Sequence, residues 1–152
     1  MVKWEVLLMN KFKKLKEVYL SAIDEMLAGQ NEKAAKDKEY GYEDEYIAEQ
    51  IKMNITDIFK QMFNLAYRNV EEETDIPAFK KIFEEYQDKA NRLYHAYLHF
   101  FERIPAAWKV KAKKDKEFGK IDEYRKEKIK LAQVDEIKEL FIEKFEQVIG
   151  GV

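Results

Sequence analysis

Apolar residues recur along this chain at spacings of three and four, the signature of amphipathic helices. In the first segment Trp4, Leu8, Phe12, Leu15, Tyr19, Ala22 and Met26 form one stripe. Gly29 stands where a helix-ending glycine belongs. The polar stretch that follows, residues 30–42, is expected to be a mobile connection. A second helix is predicted from about Glu43 to Asn69, with Ile47, Ile51, Ile55, Ile58, Met62 and Leu65 or Ala66 on its apolar side. Glu43, Asp44 and Glu45 crowd its first turn, where the helix dipole favours negative charge.

The stretch "ETDIPAF" predicts the next helix start. Thr74 or Asp75 is a cap candidate, and Pro77 fits a first turn. From Phe79 through Ile82, Phe83, Tyr86, Ala90, Leu93, Tyr97 and Phe100 to Ile104 the apolar positions make one unbroken stripe. Pro105 then stops that helix or starts another. Residues 105–118 are predicted as a short basic helix broken at Gly119. The last helix runs from about Lys120 to Ile149, with Tyr124, Leu131, Val134, Ile137, Phe141, Phe145 and Val148 facing one way. Gly150 and Gly151 end it.

No stretch alternates as a half-buried strand does. No repeat of 20–50 residues is visible. The expected fold is therefore all-α: one domain over 1–152, built as a bundle of four long amphipathic helices plus one short basic helix.

Composition sharpens this picture. With 152 residues, 46% hydrophobic, the chain can bury a core of its own. Charged residues reach 38%, against five Gly and two Pro, which suits long solvated helices. The lysine- and glutamate-rich, cysteine-free balance also fits a thermophile or an AT-rich mesophile genome. A net charge of −2 gives no overall field for nucleic acid or membrane. Cysteine is absent, which excludes disulfides and thiolate chemistry and fits a reducing compartment. No apolar run nears the roughly 18 residues needed to span a bilayer. The opening "MVKWEVLLMNKFKK" has its charges in the wrong order for a signal peptide, so a cytoplasmic location without membrane contact is expected. Met1 and Met9 are both plausible starts.

Candidate chemistry centres on "NRLYHAYLHFFE", which holds the only two histidines, His95 and His99. Advancing about 100° per residue puts them at roughly 200° and 240° from Leu93, off the apolar stripe. They share that face with Asp88, Arg92, Glu102 and Arg103. One reading is a surface or interface pair without chemistry. A second is a metal site of His95, His99 and Glu102, since i, i+4 and i+7 converge on a helix. It lacks the glutamate between the histidines, and no cofactor is expected.

A third reading rests on Arg92 and His99, with six residues between them and on one face. This spacing resembles the Arg-x(4–6)-His signature of the HEPN family. Leu93 stands where that family usually carries a polar residue. The resemblance would imply metal-independent RNA cleavage in a helical dimer, with His99 and Arg92 at the reacting phosphate.

Around these residues Tyr94, Leu98 and Phe101 widen the apolar arc to about half the helix, which predicts an interface between copies. Lys11, Lys13, Lys14 and Lys16, and Lys109, Lys111, Lys113, Lys114 and Lys116, offer phosphate contacts, with Trp108 or Phe118 available to stack on a base. A solvated face in a lysine-rich chain is the preferred reading of them, and the acid runs 43–45 and 71–73 offer them pairing partners. Asn54, beside the second stripe, is expected to set register. The single serine and the lack of a glycine-rich phosphate loop argue against a serine nucleophile, nucleotide hydrolysis and dinucleotide redox chemistry. The expected function is a helical interaction or assembly protein that forms homo-oligomers and has room for another protein partner. The alternative is a nucleic-acid-binding or RNA-cleaving protein.

Overall fold

The computed structural model of this chain describes residues 2–74 and 76–150, without the side chains of 2, 4 and 5. Trp4 in the first stripe, Asp75 as a cap, Gly151 as a stop and Met1 as a start thus lie outside the described positions. The fold is all-α. Helix α1 spans Val2–Glu39, α2 Glu43–Glu71, α3 Lys80–Glu85, α4 Lys89–Glu117 and α5 Ile121–Val148. A single 3-10 turn, Pro77–Phe79, precedes α3.

The long helices run up, down, up and down. Phe59 and Phe63 on α2 meet Phe101 and Tyr97 on α4, so those two are antiparallel. Tyr94 and Tyr97 meet Phe145 and Phe141 on α5 in the same opposed order. Tyr19 meets Phe141, and Met26 meets Gln133, which closes the ring from α5 back to α1.

Several sequence expectations are corrected here. Gly29 does not end α1. It is exposed and helical, and the helix continues ten residues further. The extension is held by packing: Ala34 is 2% exposed, and Asp37 is buried against the start of α2. The supposedly mobile 30–42 segment is thus helix up to Glu39 and a tight turn after it. The stripe from Phe79 to Ile104 is broken. Tyr86 is extended, and α4 starts afresh with Asp88 accepting from the Asn91 amide at 3.0 Å. Thr74 caps nothing; the N-cap of the 3-10 turn is Ile76, with no side-chain bond. Pro105 lies buried inside α4, so the basic 105–118 stretch is the second half of a long helix. The short helix is α3 instead.

On α2 the buried line is Ile55, Phe59, Phe63, Ala66, Tyr67 and Val70, about one residue round from the isoleucine stripe. Large rings at i, i+4 spacing take the core because they remove the most apolar area. Asn54 is exposed, and the buried polar groups at this level are Thr56 and Gln133, joined at 3.0 Å.

The core also shows a repeat that a 20–50 residue period misses. Residues 33–52, "KAAKDKEYGYEDEYIAEQIK", and 111–130, "KAKKDKEFGKIDEYRKEKIK", are identical at 13 of 20 positions at an offset of 78. The same offset relates Leu15 to Leu93, Tyr19 to Tyr97 and Phe63 to Phe141, all of them buried. The chain is a tandem of two helical hairpins, α1–α2 and α4–α5, related by an approximate two-fold axis along the bundle. Equivalent side chains meet on it. The Tyr19 and Tyr97 hydroxyls lie 2.6 Å apart, and the Phe63 and Phe141 rings lie 6.2 Å apart.

Burial drives both central phenols above the usual value of 10. Burial pushes Tyr67 up to about 12, with Glu71 and Glu17 adding to the rise. All three are acids that stay neutral longer in the folded chain than in the unfolded one. Above pH 10 the unfolded state therefore loses protons first, and stability falls as pH rises. The chain is expected to lose helical circular dichroism in an alkaline transition that coincides with phenolate absorbance. Phenolate appearing near pH 10 with the helices intact would contradict the burial of this layer.

Candidate functional site

The histidine face comes from the start of α4 and is roofed by the residues before it. His95 is half-buried, and Tyr86 stacks on it at 3.9 Å with the rings 12° from parallel. Tyr94 meets His95 edge-on at 5.2 Å. His99 is half-buried beside Phe100, and Glu102 is exposed. Among the described residues no three His, Asp or Glu side chains are arranged to hold a metal ion. The imidazoles do leave the seam, as the helical wheel predicts, but for His95 the cover is an aromatic ring of the same chain.

Arg92 has a structural task. Its Nε donates to the Tyr86 carbonyl at 2.6 Å and its Nη2 to the Phe83 carbonyl at 2.9 Å, while the guanidinium lies 4.9 Å from the Phe83 ring centre. These carbonyls belong to the last turn of α3 and the break behind it. Arg92 thus caps a helix of six residues that has little else to satisfy its end. Offering the same fork to a phosphate would require breaking both bonds.

The apolar arc is also used within the chain. Phe101 is 4% exposed and stacks on Phe59 at 4.5 Å. Tyr94 packs on Phe145 at 4.6 Å and on Phe141, and Leu98 is half-buried against the same cluster. Of the expected interface residues, Phe101 is therefore core under α2 and Tyr94 packs on α5, while Tyr94 and Leu98 remain partly exposed; the sequence cannot say whether a helix's cover is its own chain or another.

The lysines of α4 divide. Lys111 sits among three carboxylates, 2.7 Å from Asp115, 3.5 Å from Glu123 and 3.6 Å from Glu127. The hydrogen bond with Asp115 raises its pKa first, and neighbouring negative charge adds to the rise. Lys116 lies over Tyr124 at 5.9 Å. Lys109, Lys113 and Lys114 are exposed. In the N-terminal cluster Lys16 lies 4.7 Å over Tyr67, while Lys13 and Lys14 face solvent.

The site that emerges from the fold is the pair of hairpin tips. Each helix ends in a glycine with positive φ, Gly41 at 75° and Gly119 at 71°, where an L side chain is strained. The turns are copies of each other. Tyr42 N–H bonds to Asp37 O at 2.8 Å, and Lys120 N–H to Asp115 O at 2.8 Å. Gly41 N–H to Lys38 O and Gly119 N–H to Lys116 O are both 3.3 Å. Beneath each tip is the same ionic base. Lys33 lies 2.9 Å from Asp37 and 3.7 Å from Glu49, matching the Lys111 set, and Lys52 and Lys130 add a second cation to Glu49 and Glu127. Lys38 over Tyr46 at 6.0 Å repeats the Lys116–Tyr124 pair.

On this rigid base each tip holds apolar groups out to solvent. Tyr40 is 67% and Tyr42 55% exposed; Phe118 is 76% and Ile121 75% exposed. An exposed ring is unremarkable once, but here it recurs at the same position of two turns with matching hydrogen bonds, which makes the tips a candidate surface. The signal in the sequence is "DKE-aromatic-Gly" at 37–41 and 115–119, legible only when one half is laid on the other.

No helix of the described residues is long and apolar enough to cross a membrane. Compared with protein-family models, curated proteins and solved structures, the chain matches none, so its function rests on its own geometry.

Proposed function

We propose that this chain is a helical interaction and assembly module that works as a homo-oligomer through the end of the bundle carrying the two tips. The observation behind this reading is the recurrence of solvent-facing aromatic residues, Tyr40 and Phe118, on turns of matching geometry. Surface area supports it. The chain exposes 9894 Å², whereas a compact monomer of this mass exposes about 8,100 Å². That excess belongs to elongated molecules with surface to share. Light scattering across a concentration series is expected to give a dimer or larger species. A monomer at every concentration rejects the reading.

A second reading has one observation in its favour. Lys109, Lys113 and Lys114 are exposed on the helix that the Phe118 ring directly follows, a combination suited to single-stranded nucleic acid. RNA affinity that falls steeply with salt supports it, and no binding at low salt rejects it. Cleavage through Arg92 and His99 belongs to this reading and predicts that His99→Ala abolishes it with the helices intact.

A further inference from the structure

We infer that the tip end is a self-complementary docking surface whose occupant is a second copy of this chain, the acidic first tip of each copy facing the basic second tip of the other. This rests on the assembly reading above and adds which surface and which register. Both tips lie at one end, because α1 and α4 point the same way. From the Tyr19–Tyr97 contact each helix climbs 21 residues to Tyr40 or Phe118, about 32 Å, so the tips reach one level.

Although the tips share a backbone, their charges diverge. Residues 32–49 carry three lysines against seven carboxylates. The equivalent window 110–127 carries seven basic residues against five carboxylates. The buried carboxylates of the base, Asp37 and Glu49 or Asp115 and Glu127, are common to both, so the difference lies around them. Glu43 is replaced by Ile121, Tyr42 by Lys120, Ala35 by Lys113 and Ala48 by Lys126. One end of the molecule is thus split into a negative and a positive half.

A two-fold axis perpendicular both to the bundle and to the line joining the tips places each negative half on the partner's positive half. The contact is then isologous and closed. A two-fold axis along the line between the tips would set like on like and is opposed by charge. A second copy is also the one partner guaranteed to present both opposite charges at the spacing of this chain's own tips. In that register Tyr40 and Tyr42 face Phe118 and Ile121, so four exposed apolar side chains leave water together with the charges.

The test exchanges the charges in the full-length chain. Variant A carries Glu39→Lys, Glu43→Lys and Asp44→Lys; variant B carries Lys113→Glu, Lys120→Glu and Lys126→Glu. All six side chains are exposed. Sedimentation equilibrium at low salt is expected to give a wild-type dimer. A alone and B alone should self-associate about a hundredfold more weakly, since each sets like charge on like. An equimolar mixture of A and B should recover near-wild-type affinity as a heterodimer, because opposite charges again face each other at both contacts. Recovery on mixing also shows that both variants are folded. Dimers of A and of B as tight as wild type reject the tip surface and leave assembly standing. Weakened variants that stay monomeric when mixed reject the complementary register. A monomeric wild type removes the assembly reading itself.

Discussion

Phe141→Ala is expected to cost about 3–5 kcal/mol of folding stability, near the largest loss a single core truncation gives. The ring is fully buried and lies within 4.8–6.2 Å of Tyr97, Tyr19, Tyr94, Phe145 and Phe63. No neighbour can collapse into the gap without moving another ring. The two-fold makes the prediction sharper. Phe63, its equivalent at an offset of 78, touches Tyr19, Tyr67, Tyr97 and Phe141, so Phe63→Ala should cost nearly the same. In a chain of this length the melting temperature should drop by roughly 10–15 °C in each case. Phe118→Ala, on a side chain 76% exposed, should stay within about 0.5 kcal/mol while weakening self-association. Urea titration of the three variants checks this. A loss under about 1 kcal/mol for either buried ring would mean that this aromatic layer does not join the two hairpins.

Tyr97→Phe is expected to cost more than Tyr19→Phe, although the residues are equivalent by the two-fold. The Tyr97 hydroxyl donates to the Phe59 carbonyl at 2.9 Å, so the hydroxyl of Tyr19, 2.6 Å away, donates to Tyr97. Removing the Tyr97 oxygen leaves the buried Tyr19 hydroxyl with no partner, a loss of about 1–3 kcal/mol. Removing the Tyr19 oxygen leaves Tyr97 still bonded to Phe59 and should cost about 0.5–1.5 kcal/mol. The double variant orphans nothing, so it should be little worse than Tyr19→Phe, and far less than the sum of the two. A double-mutant cycle by chemical denaturation measures this coupling. Equal single losses that simply add would show that the pair is not a directed chain.

The helices themselves were legible in the sequence because amphipathic periodicity is a local property. α5 falls within a residue or two of its predicted ends, and α2 ends two residues later than expected. The errors share one cause: a local signal outweighed by a tertiary contact. Gly29 has the propensity to stop a helix, at about 1 kcal/mol against alanine. Burial of Ala34 and of the Asp37 and Glu49 carboxylates, both paired with Lys33, lies further on and outweighs it. Pro105 removes one backbone bond, yet α4 continues because the ring is buried, Phe101 before it packs on Phe59 of α2, and Trp108 after it meets Lys130 of α5. In the opposite direction, the continuous stripe 79–104 contains no stop signal, and the chain still breaks at 86–88. There the Arg92 fork donates to the Phe83 and Tyr86 carbonyls at the end of α3, and Tyr86 folds over His95.

The candidate site shows the same division. Identity of side chains, their helical face and the charge of each segment follow from the amino acids in order. On that basis the sequence determined an all-α chain with an aromatic core, two histidines off the seam and a lysine-rich stretch around residues 109–116. Only the tertiary structure decided that Phe101 is covered by α2 and Tyr94 packs on α5, that Arg92 is a cap, and that two turns 78 residues apart share one end of the bundle. The reason is physical. Periodicity fixes which side of a helix is apolar, but which partner covers that side depends on contacts between residues far apart in the chain.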